Sequence, residues 1–226
     1  MIGGMSWESS AIYYRLINQD IQRRLGGMHS AKTLLYSFDF QEIADLQDTN
    51  RWDEATRRMN GVGAALAKGG ADFLIICCNT MHRRADAVEK AAGIPLLHIA
   101  DPLGAAIVAQ GIKRVGLLGS RHTMDQDSIV KGRLRSKFGL DVLVPEGEDH
   151  AEVDRMVYRE LVRGQFLENS RRNCSQIIAR LVARGAQATI LGCTELPLLV
   201  KQEDSPAPLF DTTTLHASAA VDLALA

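Results

Sequence analysis

Four cysteines, Cys77, Cys78, Cys174 and Cys193, are the residues of this 226-residue chain best suited to chemistry. A thiol can pack, form a disulfide, bind a metal, or shuttle a proton as the thiol/thiolate couple. Metal binding fits poorly, because neither a CxxC nor an HExxH spacing occurs. Cys77 and Cys78 are also neighbours on a run that reads as a strand, which sends their side chains to opposite faces. Disulfides are a poor default for a chain too large to need staples. Packing and acid/base catalysis remain, and the neighbours separate them. Asn79-Thr80 follow Cys78 and Thr194-Glu195 follow Cys193, groups able to orient a bound carboxylate or position a sulfur. Cys77 and Cys174 have no such followers and are assigned to the core.

The two chemical cysteines occupy equivalent places in an internal repeat. Gly70-Ala71-Asp72-Phe73-Leu74-Ile75-Ile76-Cys77-Cys78-Asn79-Thr80 aligns without a gap on Gly185-Ala186-Gln187-Ala188-Thr189-Ile190-Leu191-Gly192-Cys193-Thr194-Glu195, an offset of 115 residues that superimposes Cys78 on Cys193. The same offset carries Gly4 onto Gly119, and Pro95-Leu96-Leu97 matches Pro208-Leu209-Phe210 after a two-residue shift. In the first half, the counterparts of Lys113-Arg114-Val115 would precede residue 1. Either the natural chain starts further upstream, or the first strand is reduced to Met1-Ile2.

The elements around these positions alternate between strand and helix, the pattern of parallel α/β layering. Ser6 is expected to cap a helix that Gly26-Gly27 ends. Strands are expected at Thr33–Phe38, Phe73–Cys77, Leu96–Ile99, Arg114–Leu118, Leu140–Val144, Ala188–Leu191 and Leu209–Phe210. Helices are expected around Ala55–Leu66, over Asn79–Ala92, near Leu103–Ala109, up to Phe138, over Val153–Arg163 and Ser170–Arg184, and from Leu215 to the end. Two α/β subdomains follow, 1–100 and 101–226, with the last helix packing back on the first. Ligands of open α/β sheets bind beyond the carboxyl ends of strands, where helix N-termini favour anions and thiolates. If the halves are related by a pseudo-two-fold axis, Cys78 and Cys193 face each other across one cleft. Two opposed acid/base groups around one carbon are what stereoinversion requires.

Composition agrees with an ordinary folded soluble protein and excludes several other classes. The chain is 46% hydrophobic and 23% charged, with 19 Gly and 6 Pro, which argues against disordered or collagen-like chains. Lys+Arg number 26 against 27 Asp+Glu, giving a net charge of -1, and the paired arginines are dispersed. No basic excess suits nucleic acid or a membrane surface. No run approaches the roughly 20 apolar residues of a membrane span, and the start lacks a secretory pattern, so a cytoplasmic address is expected.

Gly3-Gly4-Met5-Ser6-Trp7-Glu8-Ser9, Cys78-Asn79-Thr80-Met81-His82 and Gly192-Cys193-Thr194-Glu195 resemble the three signature stretches of the aspartate/glutamate racemase family. With Gly26-Gly27-Met28-His29-Ser30 and Phe210-Asp211-Thr212-Thr213, the resemblance spans essentially the whole chain. It implies two α/β subdomains with the active site between them, no pyridoxal phosphate or other cofactor, no metal, a homodimer, and catalysis by Cys78 and Cys193 on opposite faces of an amino acid. Carried over position by position, it places Met5, Gln47, Cys78, Asn79, Thr80 and, more weakly, Glu160 around the substrate, and Thr194 is expected to join Asn79 and Thr80 in hydrogen-bonding the enolate-like carboxylate. Aspartate racemases use basic residues to hold the side-chain carboxylate where this chain has Gln47 and Glu160. An amide and an acid do not favour a second carboxylate, so a broad-specificity amino-acid racemase is the expectation. The alternatives are a related isomerase or decarboxylase, such as a hydantoin racemase, and a small-molecule binding protein that has lost turnover.

Overall fold

A computed structural model describes residues 1–125 and 129–226. In chain order the elements are β1 (Ile2–Gly3), α1 (Trp7–Leu25), β2 (Tyr36–Ser37), α2 (Phe40–Asp48), α3 (Trp52–Lys68), a 3-10 turn (Thr80–Arg84), α4 (Ala85–Ala92), α5 (Ala100–Ala109), β3 (Arg114–Leu118), α6 (Arg121–Asp125), α7 (Val130–Phe138) and β4 (Asp141–Leu143). They continue with α8 (Gly147–Arg159), α9 (Glu168–Ala183), β5 (Ala188–Leu191), α10 (Leu196–Leu199), β6 (Leu209–Asp211) and α11 (Thr212–Leu225). The expected helix ending at Phe138 is α6 and α7; its stretch at Gln126–Ser128 lies outside the described residues.

The chain forms two compact units, the first Met1–His98 with His216–Ala226 and the second Ile99–Leu215. In the second, a parallel sheet runs in the order β4-β3-β5-β6. Its two central strands are almost wholly buried, so they read as continuous apolar runs rather than alternating ones. One face is covered by Ile99, Leu103, Ile107, Ile129 and Leu134, and the other by Val153, Met156, Ile177, Ile178 and Leu181.

The first unit builds the same sheet order from shorter pieces. β2 pairs in parallel with β1, Ile2 bridges to Ile76, and Leu74 bridges to Leu96. The Thr33–Phe38 and Leu96–Ile99 strands are therefore shorter than their apolar content suggests, and α2 forms where no separate helix is expected. One face packs on α1 and α11 through Tyr13, Ile17, Ile21, Ala217 and Val221. The other packs on α2, α3 and α4 through Ile43, Leu46, Ala55, Met59, Leu66 and Val88.

The shared topology supports the repeat and corrects its register at one strand. Cys77 N–H donates to Ile2 O at 2.8 Å, and Gly192 N–H donates to Leu118 O at 2.7 Å. Ile2 and Leu118 are thus equivalent, and Gly3, not Gly4, stands opposite Gly119. Four residues separate Ile2 from α1, and two separate Leu118 from α6, so the first unit holds a two-residue insertion in that turn. Gly4 absorbs it, with φ +83 and a position where a Cβ would lie 2.2 Å from Phe38 O.

Candidate active site

In the first unit, the chain leaves the sheet at Cys77-Cys78 and enters the 3-10 turn, and the two thiols part there. Cys77 is fully buried among Tyr13, Ile17, Ile21 and Ala217, and burial pushes its thiol up to about 12. Cys78 is partly exposed and packs against the opposite layer, which holds Met5, Leu46 and Met81. Gln47, at the end of α2, is buried and donates from Nε2 to Met81 Sδ at 3.2 Å. Asn79 and Thr80 are both buried. Five of the expected site residues, Met5, Gln47, Cys78, Asn79 and Thr80, thus belong to this unit, and Cys78, Met5 and Met81 share one apolar layer.

A histidine group supports the Cys78 turn from behind. His82 Nδ1 donates to Cys78 O at 2.8 Å, and its ring lies edge-on to His98 at 4.8 Å and to His216 at 5.4 Å between centroids. His216 Nε2 is 2.9 Å from Leu97 O, which requires that nitrogen to carry the proton. Its Nδ1 is hydrogen-bonded to Tyr13 Oη at 2.8 Å. Burial, then the neighbouring His98 and His216, holds His82 well below the usual histidine value, so the ring is neutral. Sequence offers a weak signal for His82, four residues after Cys78, and none for its meeting with His98 and His216.

In the second unit, Cys193 is partly exposed at the end of β5 and packs against the α8/α9 layer. Its Sγ donates to Glu195 Oε2 at 3.0 Å, and Thr194 Oγ1 donates to the same oxygen at 2.6 Å. Thr194 and Glu195 are buried. Gly192 lets the strand end close on β3: a Cβ there would lie 2.8 Å from Leu118 O. Thr123, at the matching turn after β3, is 3.3 Å from Ser120 Oγ through Oγ1, a local capping contact.

Glu160 is buried at the end of α8, where Oε1 accepts from Arg155 at 2.7 Å and Oε2 accepts from Ser170 Oγ. Both of its oxygens are thus engaged within the second unit. Cys174 is buried in the α8/α9 layer with its thiol pushed up to about 12 by burial. Asp211 caps α11, accepting from Thr213 N at 2.8 Å, whereas Asp101 holds Arg133 and Lys137 on α7. No group of three or more His, Cys, Asp or Glu among the described residues is arranged to hold a metal ion, and no described helix is long and apolar enough to cross a membrane.

Two α/β units of one topology, each ending an equivalent strand in a partly exposed thiol, define a racemase-type scaffold. The family model for Asp/Glu/hydantoin racemases matches residues 2–220, and the chain belongs to that family, whose racemases are isomerases. Among solved structures, it is similar to a candidate Asp/Glu racemase from Yersinia pestis, with 48% identity, a TM-score of 0.92 and coverage of 100% of this chain and 97% of that one. An aspartate racemase homologue from Pyrococcus horikoshii OT3 is 30% identical with a TM-score of 0.83, again covering 100% and 97%. The broad specificity amino-acid racemase RacX of Bacillus subtilis is 24% identical over 177 residues, 77% of this chain and 74% of RacX.

Proposed function

We propose that this protein is a cofactor-independent amino-acid racemase of broad specificity, with Cys78 and Cys193 as its two acid/base groups. The observation that carries the reading is the equivalent placement of the two thiols, each two residues past the last paired residue of the matching strand. Stereoinversion needs one group to remove the α-proton and another to deliver a proton to the opposite face. The reading therefore requires both thiols to reach one α-carbon.

The chemistry around the cysteines fits complementary starting states. Cys193 donates to Glu195, so it begins as the thiol. In the direction where Cys193 is the acid, its proton goes to the α-carbon and Cys78 is the base. In the other direction Cys193 is the base, and Glu195, already at 3.0 Å, accepts the thiol proton beforehand. The α-proton of an amino acid is very weakly acidic. The developing enolate-like carboxylate needs fixed donors, a role assigned to Asn79, Thr80 and Thr194. Gln47 and Met5 are assigned to the side-chain end. A neutral amide and a thioether set no charge requirement there, which supports broad rather than strictly acidic specificity, in line with the name of RacX. Glu160 is the weakest member, because its carboxylate is engaged with Arg155 and Ser170.

Proton exchange in heavy water tests the reading directly. A panel of single-enantiomer amino acids is incubated with the enzyme and scored for deuterium at the α-carbon and for the opposite enantiomer. Deuterium incorporation with racemisation of several amino acids is expected. Exchange confined to hydantoins, or ligand-induced stabilisation without any exchange, would replace the proposal with one of its rivals.

A further inference from the structure

We propose that an arginine-lined cleft at the start of α3 is a binding site for a phosphorylated small molecule, separate from the cysteine chemistry. The cleft has a volume of about 460 Å³, within the range of about 300–1,000 Å³ usual for small-molecule sites, and lies wholly in the first unit. Arg51, Trp52, Asp53 and Arg57 line it from the first turns of α3, and Arg83 and Arg84 from the end of the 3-10 turn.

Charge in this cleft is poorly balanced. Glu54 also lines it, but its carboxylate is already shared between Arg51 and Arg58. Asp53 is 95% exposed and reaches Arg84 only at 3.9 Å, too far for a hydrogen bond. Arg84 Nε is buried with no hydrogen-bond partner, and Arg57 has no ion-pair partner among the described residues. Arg83 lies over the Trp52 ring at 4.6 Å, and its charge is disfavoured by burial and by Arg84 beside it. Three guanidinium groups, on Arg57, Arg83 and Arg84, thus line one space, where the 3.9 Å ion pair of Arg84 with the exposed Asp53 is their one carboxylate contact among the described residues.

The backbone adds to this demand for an anion. α3 is 17 residues long, its first turn carries Asp53 and Glu54, and Arg51 at its N-cap provides no capping hydrogen bond. The positive end of a helix with no capping side chain and several planar forks of N–H donors match the tetrahedral, multiply charged oxygens of phosphate better than a single carboxylate. A cleft of this volume exceeds the needs of one inorganic phosphate, so a diphosphate or a nucleoside polyphosphate is the class that fits. This inference does not depend on the racemase reading, since it uses none of the proposed catalytic residues.

Fluorescence supplies the test, because the chain has two tryptophans and Trp52 sits in the cleft. A Trp7→Phe background, which removes a ring 64% exposed on α1, leaves Trp52 as the reporter. The probes are inorganic phosphate, pyrophosphate, ATP and malonate. Saturable quenching by pyrophosphate or ATP below about 1 mM is expected, weakening as salt rises. ATP tighter than pyrophosphate assigns a nucleotide; equal affinities assign the phosphoryl groups alone. Arg57→Ser together with Arg84→Ser is expected to weaken binding at least about tenfold. Arg57→Ser alone, on an exposed side chain, is expected to weaken it by about threefold should the double variant misfold by circular dichroism. Three results overturn the proposal: no saturable signal up to about 10 mM, malonate binding as tightly as pyrophosphate, or affinities unchanged in the arginine variants. A change of oligomeric state in either variant likewise overturns it and assigns the cleft to a protein partner.

Discussion

The two units share a sheet order and a cysteine position, yet surround that cysteine with opposite chemistry. Behind Cys78, which packs against an apolar layer, stands a neutral, buried imidazole that donates to the cysteine's backbone carbonyl. Beside Cys193 stands a carboxylate that accepts from the thiol itself. The scaffold fixes where each thiol emerges, while the residues two to four positions further on decide what holds it. A duplicated fold can thus supply two thiols that are equivalent in position and differ in their hydrogen-bonding neighbours, a pair the proposed two-base reaction would use.

Removing either thiol is the largest expected perturbation. Cys78→Ser and Cys193→Ser should each lower kcat for racemisation by roughly 10²–10⁴-fold in both directions, the usual contribution of a positioned acid or base. Measurement from the L and the D enantiomer separately is needed, because full activity of either variant in both directions ends the two-base reading. Glu195→Gln should cost less. It keeps an acceptor for Cys193 but removes the charge, and a hydrogen bond to a charged group contributes about 1.5–3 kcal/mol, or about 10–150-fold. The loss is expected mainly in kcat, with KM changed less than threefold, and by the same factor in kcat/KM for both directions, because the equilibrium between enantiomers ties the two together. Activity unchanged within threefold would make Glu195 a structural support and remove its role as proton acceptor for Cys193.

The first unit's counterpart, His82, should act on stability more than on rate. Its imidazole is neutral in the fold and titrates from the ordinary 6.5 when unfolded, so below that value the unfolded chain binds the extra proton. The stability it contributes is present above pH 6.5 and is lost as pH falls towards its lowered folded value, by up to about 1.4 kcal/mol per pH unit. His82→Gln retains a neutral donor and cannot titrate. Urea unfolding at pH 7.5 and 5.5 should show a smaller acid-induced loss in the variant than in the parent chain, and identical losses would mean that His82 is not the group responsible.

How much of this was legible in the sequence follows the same division. The buried strands Arg114–Leu118 and Ala188–Leu191 were readable to the residue, because parallel strands covered on both faces are unbroken apolar runs. In the first unit the pieces that pair are only one or two residues long, and no periodicity marks them. The repeat identified Cys78 and Cys193 but misplaced β1 by one residue, since either glycine of Gly3-Gly4 can occupy the turn in an ungapped alignment. Thr194-Glu195 declared themselves by adjacency to Cys193. The meeting of His82, His98 and His216 was not readable, because it depends on α11 returning to the first unit from the far end of the chain. The arginine cleft was hidden in the same way: Arg57 and Arg83-Arg84 look like solvated helix faces until α3 and the 3-10 turn bring them together.

The smallest effect belongs to the remaining pair, Cys77 and Cys174, which test whether the contrast lies in place or merely in residue type. Each is buried with its thiol pushed up to about 12, so at pH 8 neither offers appreciable thiolate. Brief iodoacetamide treatment followed by peptide mass spectrometry should therefore label Cys78 and Cys193 well before Cys77 or Cys174. Cys174→Ala should leave kcat within twofold while lowering stability by about 1 kcal/mol, the cost of a small void in the α8/α9 layer. Early labelling of Cys77 would show that its strand opens readily. Since that strand carries Cys78 as the next residue, such opening would place Cys78 on a less rigid base than Cys193.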